Sequence, residues 1–276
     1  MKTVAIQGVS GAFHEIAARE FFKGEEIAIL ECNTFKDLFN ALALDETLLG
    51  IVAIENTIAG SLLQNHNLLR DSGCLIVGEY KLHIEQNLAV LPGQRIEDID
   101  EVYSHPIALM QCEDFLDQHK HIKAIESEDT ALSAKDIADN KLTRRGAICS
   151  SLAAEMYGLE IIAKGIETNK RNFTRFLIIA EPSLAEKMID ASNINKASLV
   201  FTLPHEEGSL VKVLSVLSFY NANLTKIQSL PIIGEEWKYQ FYINLTFKDY
   251  ARYKQSLDAI RPLTNDFQIL GEYHEG

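Results

Sequence analysis

Positive charge is scarce in this chain. Its 276 residues include 26 Lys and Arg against 39 Asp and Glu, which gives a formal net charge of −13. Nucleic-acid binding depends on basic surfaces, so this balance argues against a nucleic-acid partner. The field of the whole protein also repels anions, and an anionic ligand must therefore be attracted by local groups.

Long hydrophobic runs are missing as well. No stretch approaches the roughly 18 apolar residues of a membrane-spanning helix. Residues 1–8 lead directly into a strand and a turn, without the architecture of a signal peptide. We therefore expect a soluble protein with no membrane partner.

Cysteine is rare, and its spacing is uninformative. The four cysteines are scattered, without the paired spacing of a zinc site or a disulfide framework. His105, His119 and His121 do not have helical i, i+4 spacing with an acid between them, so no metal site is predicted. This cysteine usage favours a reducing cytoplasm.

What the chain does contain is a regular alternation of elements. Short apolar strands alternate with amphipathic helices over about the first 180 residues, which indicates an α/β fold. We expect one helix at 107–119. Two strands are predicted at 75–80 and 88–91, and the alternating segment 77–90 could instead form one extended strand that crosses between two lobes. After a polar linker at 190–195, the pattern becomes strand-helix-strand-strand-helix-strand, the ferredoxin-like plan, with a turn at 233–236.

A polar pair opens the last strand of the first part, at Asn172-Phe173-Thr174-Arg175-Phe176. Strand alternation predicts Thr174 and Phe176 on one face, with Phe173 and Arg175 on the other. Two interpretations stay open. The segment is either a strand end that meets a cleft or a half-buried edge strand with an Arg in solvent.

A glycine-rich turn at 8–15 follows the first strand and opens the first helix. Free amides at such a turn are a ready anion site, and the alternative is a purely structural turn. The turn matches neither the dinucleotide fingerprint nor the phosphate loop.

Similar strand-to-helix turns recur at 54–61, 104–106, 129–130 and 149–151. Asn56 or Thr57 either caps the next helix or faces a carboxylate ligand. His105 either caps its helix or takes part in chemistry. In an open α/β sheet such turns gather at one edge, so we expect helix N-termini to form a positive, amide-lined pocket.

Taken in order, these segments resemble the prephenate dehydratase family. That family shows a Gly-x-x-Gly-(Ala/Thr)-(Phe/Tyr) turn, an Ile-Glu-Asn-(Ser/Thr) segment followed by Gly-Ser, a Ser-His-Pro-x-Ala-Leu segment followed by Gln-Cys, and Asn-x-Thr-Arg-Phe. They stand here at 8–13, 54–61, 104–112 and 172–176. Residues 208–210 and 223–231 are similar to the Gly-Ala-Leu and Asn-Leu-Thr-x-Ile-Glu-Ser-Arg-Pro motifs of an ACT domain.

The resemblance covers essentially the whole chain and implies its fold. A two-lobed, periplasmic-binding-protein-like catalytic domain is expected at 1–181. Its first lobe spans about 1–76 plus 174–181, and its second about 77–173. A ferredoxin-like ACT regulatory domain is expected at 196–273.

The resemblance also implies an activity. The reaction is the decarboxylative dehydration of prephenate to phenylpyruvate in L-phenylalanine biosynthesis, catalysed by a lyase without a cofactor or metal. Aromatisation of the ring supplies the driving force. The implied partners are prephenate as substrate and L-phenylalanine as effector, in a homodimer or homotetramer.

The motifs carry site residues with them. The implied catalytic residues are Thr174, Arg175 and Phe176. We expect Thr174 to donate a hydrogen bond to the leaving hydroxyl, and Arg175 either to pair with a carboxylate or to organise the site from behind. Implied substrate contacts are Gly11, Ala12, Glu55, Asn56, Thr57, Ser104, His105 and Asn172. Implied phenylalanine-binding residues are Gly208, Ser209, Leu210, Asn223, Leu224, Gln228 and Ser229.

Several positions depart from the family pattern. His14 stands where Ser or Thr is usual, Ile107 replaces a Gln, and Asn65 and Asn67 replace a Thr and an Asp. Gln228 and Leu230 replace a Glu and an Arg in the ACT loop, which weakens the case for phenylalanine regulation.

Alternative functions stay open at this point. The chain could act on arogenate, the amino-acid analogue of prephenate. It could also be a non-catalytic two-lobed binding protein, or an amino-acid sensor. The ACT domain could serve dimerisation alone.

Overall fold

The computed structural model describes residues 1–232 and 234–276, so Ile233 of the predicted turn at 233–236 lies outside them. The α-helices and strands of the described residues follow one another along the chain as set out here. They are β1 (Lys2–Gln7), α1 (Phe13–Phe21), β2 (Ile27–Cys32), α2 (Phe35–Leu44), β3 (Leu49–Asn56), β4 (Gly60–Ser61), α3 (Leu63–Ser72), β5 (Leu75–His83), β6 (Asn87–Val90), β7 (Glu101–Ser104), α4 (Pro106–Gln111), α5 (Glu113–Gln118), β8 (Lys123–Glu126), α6 (Thr130–Asp139), β9 (Arg145–Cys149), α7 (Ser151–Met156), β10 (Glu160–Ala163), β11 (Phe173–Ala180), α8 (Pro182–Met188), β12 (Lys196–Thr202), α9 (Ser209–Phe219), β13 (Asn223–Pro231), β14 (Tyr239–Thr246), α10 (Tyr250–Ile260) and β15 (Asn265–Tyr273).

These strands form three sheets. The first has the order β2-β1-β3-β11-β5 with β4 paired to β3, the second β10-β6-β9-β7-β8, and the third β13-β14-β12-β15. In the first sheet β1 runs parallel to both β2 and β3. Seven of the eight residues of β3 are buried, the near-continuous burial expected of a strand covered on both faces. The predicted α/β fold class is confirmed.

By compactness the chain divides into two units. The first comprises residues 1–42, 48–62 and 80–176, and the second comprises residues 43–47, 63–79 and 177–276. These units are not the domains expected from the sequence, whose bounds stay a prediction. No helix of the described residues is long and apolar enough to cross a membrane.

The segment 77–90 is not one extended strand, and the prediction of two separate strands is confirmed. β5 ends at His83 and β6 begins at Asn87, in a different sheet. Between them the amide of Ile84 donates to the carbonyl of Asn172, and the amide of Gln86 donates to Glu167 Oε2. Apolar and polar residues continue to alternate through this segment. The amides of Ile84 and Gln86, however, bond to groups outside the hydrogen-bond ladder of a strand pair.

The single helix expected at 107–119 is also wrong, because it is two short helices. α4 and α5 meet at Cys112, which has φ −106° and ψ 20° and is fully buried. The amide of Cys112 bonds to the carbonyl of Leu109, three residues back, so the helical ladder tightens and breaks there.

The last four strands form the ferredoxin-like sheet that the sequence predicted. β12 lies antiparallel to β14 and β15, and β13 lies antiparallel to β14. Alternate residues of β12 and β14 join α9 and α10 in one core. Its buried members include Leu199, Phe201, Ile243, Leu245, Val213, Leu217, Tyr253 and Leu257.

Candidate active site

The predicted catalytic residues lie at the start of β11, an interior strand of the first sheet. Thr174 and Phe176 are 8% and 1% exposed, whereas Phe173 is 40% exposed and Arg175 is half-buried. Alternation therefore places the hydroxyl and the ring on the buried face, as predicted. The edge-strand interpretation is wrong, because β11 has a neighbour on each side.

The Thr174 hydroxyl is held by Asn56, the last residue of β3. Nδ2 of Asn56 donates to Thr174 Oγ1 and to Asn172 Oδ1, each at 2.9 Å. Both amide side chains are buried. Since Asn56 occupies a lone pair of the hydroxyl oxygen, the Thr174 proton remains available to donate to a ligand.

The other end of the Asn56 side chain shapes the turn after β3. Its Oδ1 accepts from the amides of Ile58 at 2.9 Å and Ala59 at 2.8 Å, which is an Asx turn. β4 follows this turn, and α3 begins only at Leu63. The expectation that Asn56 or Thr57 caps the next helix is therefore wrong.

Thr57 fastens the same turn to the chain that enters β11. Its amide donates to the Phe173 carbonyl, and its hydroxyl donates to the Arg171 carbonyl and accepts from the Phe173 amide, each at 2.9 Å. Glu55 lies opposite Ser61 in the register of β3 and β4. Direct substrate contacts by Glu55 and Thr57 stay a prediction.

A chain of buried amides continues from Asn172 into α4. Nδ2 of Asn172 donates to Gln111 Oε1 at 2.8 Å, and Nε2 of Gln86 donates to the same oxygen at 3.3 Å. Asn172, Gln111 and Gln86 are 0%, 5% and 3% exposed. Networks of this kind fix side-chain positions in a low-dielectric interior.

Gln111 was not among the residues predicted for the site. The available signal was the Gln-Cys pair that follows the Ser-His-Pro motif. Burial alone does not separate a core amide from one that orients Asn172.

The glycine-rich turn uses several of its amides for hydrogen bonds within the protein. The amide of Ser10 donates to Glu31 Oε1 at 2.6 Å, and that of Gly11 donates to Glu15 Oε2 at 2.7 Å. The amides of residues 8 and 12 donate to backbone carbonyls. Because carboxylates of the protein accept from two of these amides, the structural interpretation is supported, and anion binding at the turn stays a prediction.

Gly11 and Ala12 pack tightly against α7. Gly11 has φ +91°, and a Cβ there would lie 2.7 Å from the Cα of Ala153. Ser150 Oγ donates to the Gly11 carbonyl at 2.6 Å. Ala12 is 2% exposed. Packing explains both residues, and their substrate contact stays a prediction.

The N-termini of α6 and α7 are capped from within the protein. Asp129 Oδ1 accepts from the amides of Ala131 and Leu132 at 2.8 and 2.9 Å, and Ser150 Oγ accepts from the Ala153 amide at 2.9 Å. Burial raises the pKa of the Asp129 carboxyl. The expected positive, amide-lined pocket is therefore wrong at α6 and α7.

The Ser-His pair before α4 has structural partners. Ser104 is fully buried, and its hydroxyl donates to the Ile148 carbonyl at 2.6 Å. His105 is the N-cap of α4, and its Nδ1 accepts from the Ile107 amide at 3.2 Å. The capping interpretation of His105 is confirmed, and substrate contact by either side chain stays a prediction.

His14 packs on the buried face of β11. Its ring centroid lies 5.0 Å from that of Phe176 at an interplanar angle of 82°, and 5.5 Å from that of Phe35 at 61°. Burial lowers the pKa of His14 to about 4. The imidazole is therefore neutral near pH 7.

The cysteines are buried free thiols. Burial raises the pKa of Cys112 and of Cys149 to about 12, so neither thiol forms the reactive thiolate at neutral pH. Across residues 1–232 and 234–276, no group of His, Cys, Asp and Glu has the arrangement of a metal site.

A pocket of about 360 Å³ opens in the ferredoxin-like region. Ser209 and Leu210 of the predicted effector residues line it, together with the aromatic residues Trp237, Tyr239 and Phe241. The other predicted effector residues are Gly208, the N-cap of α9, and Asn223, Leu224, Gln228 and Ser229 on β13.

Comparison with known proteins places the chain in a family. A sequence model described as prephenate dehydratase matches residues 4–183. The chain is 35% identical to arogenate dehydratase 5 (chloroplastic) of Arabidopsis thaliana, over 98% of this chain and 67% of that protein. It is 34% identical to the bifunctional chorismate mutase/prephenate dehydratase of Aquifex aeolicus, over 98% of this chain and 73% of that protein.

Solved structures are similar over nearly the whole chain. The prephenate dehydratase of Staphylococcus aureus is similar with a TM-score of 0.83 and 26% identity, over 99% of this chain and 100% of that one. GqqA, described as a novel type of quorum-quenching acylase, is similar with a TM-score of 0.88 and 27% identity, over 100% and 98%.

The chain thus has an α/β dehydratase fold, followed by a ferredoxin-like region. It belongs to the prephenate dehydratase family. It spans about two thirds of the length of the curated relatives named above.

Proposed function

We propose that this protein converts prephenate to phenylpyruvate in phenylalanine biosynthesis. The bond between the ring and its carboxylate breaks, and carbon dioxide departs. The electron pair enters the ring as the hydroxyl on the opposite carbon leaves with a proton as water. Formation of the aromatic ring drives the reaction, so the proposal requires no cofactor.

The observation that carries the proposal is the hydrogen bond from Asn56 to Thr174 in a buried site. The distance from Asn56 Nδ2 to Thr174 Oγ1 is 2.9 Å, a normal hydrogen-bond length. This bond leaves the Thr174 proton free to donate to the departing hydroxyl. A threonine hydroxyl is too weak an acid to protonate the leaving group outright. The Thr174 hydroxyl acts instead as a preorganised hydrogen-bond donor, which stabilises the negative charge that develops on the leaving oxygen.

Phe176 supports the other half of the reaction. Its ring is 1% exposed and lies on the same face as Thr174. A carboxylate becomes neutral carbon dioxide during the reaction, and an apolar wall favours that loss of charge. Arg175 faces away from Thr174 by alternation, so we assign it to organising the site from behind.

Arogenate is the second candidate substrate, because the Arabidopsis relative at 35% identity is named an arogenate dehydratase. The leaving hydroxyl and the ring carboxylate are the same in both compounds. The Asn56–Thr174 pair therefore suits either substrate equally. Turnover of prephenate and of arogenate must be compared directly to decide between them.

The acylase activity named for GqqA finds less support. A hydroxyl nucleophile needs a base that accepts its proton. In the described residues the partner of Thr174 Oγ1 is the Asn56 Nδ2 donor, which cannot act as that base. A non-catalytic binding or sensing protein remains the outcome if neither dehydratase substrate reacts.

We further propose that residues 196–273 are an ACT domain that binds L-phenylalanine. The aromatic pocket bordered by Ser209 and Leu210 supports this assignment, since it offers apolar surface beside the start of α9. Pairing of two such domains in a homodimer or homotetramer, and a cytoplasmic location, stay predictions of the sequence.

The deciding experiment compares the wild type with Thr174→Val, using prephenate and arogenate in turn. We expect wild-type turnover and a loss of about 10²–10³-fold in kcat for the variant, the usual cost of one oxyanion-type donor. Thr264→Val is the matched control, because within the described residues that hydroxyl donates to the carbonyls of residues 260 and 261. An inert wild type, or full turnover by Thr174→Val, would refute the proposal.

Regulation is tested in the same assay with L-phenylalanine added. Inhibition that disappears in Ser209→Trp, which fills the pocket, supports effector binding there. Calorimetry that detects no binding of phenylalanine at millimolar concentration would leave dimerisation as the role of this region.

A further inference from the structure

His14 carries a buried nitrogen whose hydrogen-bonding capacity is unused. Within the described parts of the chain, its Nε2 has no hydrogen-bond partner. An unpaired buried polar atom costs stability, and nearly all such atoms in native proteins are satisfied. A ligand that supplies the missing partner would explain why the nitrogen is kept there.

The surroundings of His14 place it at the site. Its ring stands edge-on to Phe176, 5.0 Å between centroids. Phe176 lies two residues after Thr174 on the same buried face of β11, which is about 6.6 Å along a strand. His14 is therefore within reach of the opposite end of a substrate whose hydroxyl meets Thr174 and whose ring lies along Phe176.

That opposite end of the substrate is polar. In prephenate one ring carbon carries both the carboxylate that departs and a three-carbon keto-acid side chain. Phe176 offers no hydrogen bond to either group. His14 is a polar side chain that packs directly on Phe176.

We propose that His14 is a further substrate-binding residue, whose Nε2 hydrogen-bonds the acid side chain on the ring carbon opposite the leaving hydroxyl. This inference rests on the proposed function. It assigns a role to the position where Ser or Thr is usual in the family.

The charge state of the ring suits this role. Burial lowers the pKa of His14 to about 4, so the ring binds substrate as a neutral imidazole. A neutral imidazole has one donor and one acceptor nitrogen, and its tautomer adapts to a keto oxygen or to an ammonium group. It does not hold the departing carboxylate in its charged form as an imidazolium would.

The test separates binding from packing with two substitutions. His14→Phe keeps an aromatic ring and removes both nitrogens, whereas His14→Gln keeps an amide near the position of Nε2. We expect His14→Phe to raise KM for prephenate about tenfold or more, the loss of one hydrogen bond to a charged ligand, with a smaller change in kcat. We expect His14→Gln to recover part of the KM.

The melting temperature distinguishes substrate binding from packing. If His14 served packing alone, His14→Phe would lower the Tm. Because His14→Phe removes an unpaired buried polar atom, its Tm should equal or exceed that of the wild type. His119→Phe is the matched control, since His119 also packs on a phenylalanine but its Nδ1 has a partner, the Phe115 carbonyl at 2.8 Å. That variant should keep the wild-type KM and lose Tm.

An unchanged KM in both His14→Phe and His14→Gln would overturn the inference and leave the proposed function standing. If the wild type turns over neither prephenate nor arogenate, the proposed function fails instead. Calorimetry with phenylpyruvate then decides about His14 alone. Weaker binding by His14→Phe supports the role, and equal binding overturns it.

Discussion

Nδ2 of Asn56 donates to Oγ1 of Thr174 at 2.9 Å across 118 residues of sequence. The same amide group uses its oxygen to hold the turn after β3. One side chain thus fixes both the loop beside the site and the direction of the Thr174 proton. The two functions can be separated by mutation.

Asn56→Asp should abolish most activity while keeping the turn. The carboxylate retains an oxygen for the two turn amides. Because it only accepts hydrogen bonds, the Thr174 hydroxyl would donate to it instead of to the substrate. We expect kcat to fall about 10²–10³-fold, with a smaller loss of Tm than in Asn56→Ala, which also loses the turn.

Steady-state kinetics and thermal melts of the two Asn56 variants check this. Asn169→Asp is the control, because Asn169 holds a similar exposed turn through the Arg171 amide at 2.9 Å. Wild-type kcat in Asn56→Asp would show that the amide donor is dispensable.

Gly11→Ala should destabilise the protein more than Gly24→Ala. Both glycines have φ +91°, so both substitutions carry the strain of a left-handed residue, about 1–2 kcal/mol. Only at Gly11 would the new Cβ meet backbone, the Cα of Ala153 at 2.7 Å, whereas nothing lies within 4 Å at Gly24. Urea denaturation of the two variants measures the difference in their stability. Equal midpoints would mean that α7 shifts to accommodate the new Cβ without loss of stability.

Lys196→Met should destabilise the second compact unit. Lys196 Nζ lies 2.7 Å from Glu79 Oε1 and 3.0 Å from Glu275 Oε1, and the Lys196 and Glu79 side chains are 4% and 0% exposed. The substitution removes the positive charge beside the buried Glu79 carboxylate. Loss of one partner of a buried ion pair lowers the free energy of unfolding by about 3–5 kcal/mol.

Chemical denaturation of the Lys196 variant gives the measurement. The surface pair of Lys23 and Glu20, at 3.5 Å with side chains 80% and 43% exposed, supplies the control Lys23→Met, expected to change stability by less than about 1 kcal/mol. The double variant Lys196→Met/Glu79→Leu should regain part of the loss. No recovery would mean that packing of the lysine stem dominates.

His14 should make stability depend on acid pH. Its pKa is lowered from 6.5 to about 4 in the native protein, so the unfolded state binds the proton first as pH falls. The contribution is fully present above about pH 6.5 and is lost between there and about pH 4, up to about 3 kcal/mol. Urea denaturation of the wild type and His14→Phe at pH 7 and pH 4.5 isolates this contribution. The difference in unfolding free energy between the two proteins should change by about 2–3 kcal/mol between these pH values. A gap that is the same at both pH values would contradict the buried, neutral ring.

Much of the architecture follows from local pattern. Alternation in β11 correctly separated Thr174 and Phe176 from Phe173 and Arg175, because a strand turns successive side chains to opposite faces whatever surrounds it. The order of strands and helices likewise predicted the α/β part and the ferredoxin-like region, since periodicity reports which face of an element is buried.

Tertiary structure alone decided how the polar groups of the site are used. The turn at 8–15 has the composition of an anion site, but Glu31 and Glu15 accept from two of its amides, those of residues 10 and 11. Gln111 belongs to the site only because it reaches Asn172. Hydrogen-bond partners far apart in sequence depend on how the elements pack, and no local propensity encodes that choice. The sequence by itself therefore determined the elements and the positions of the motifs, whereas packing determined which donors and acceptors remain for a substrate.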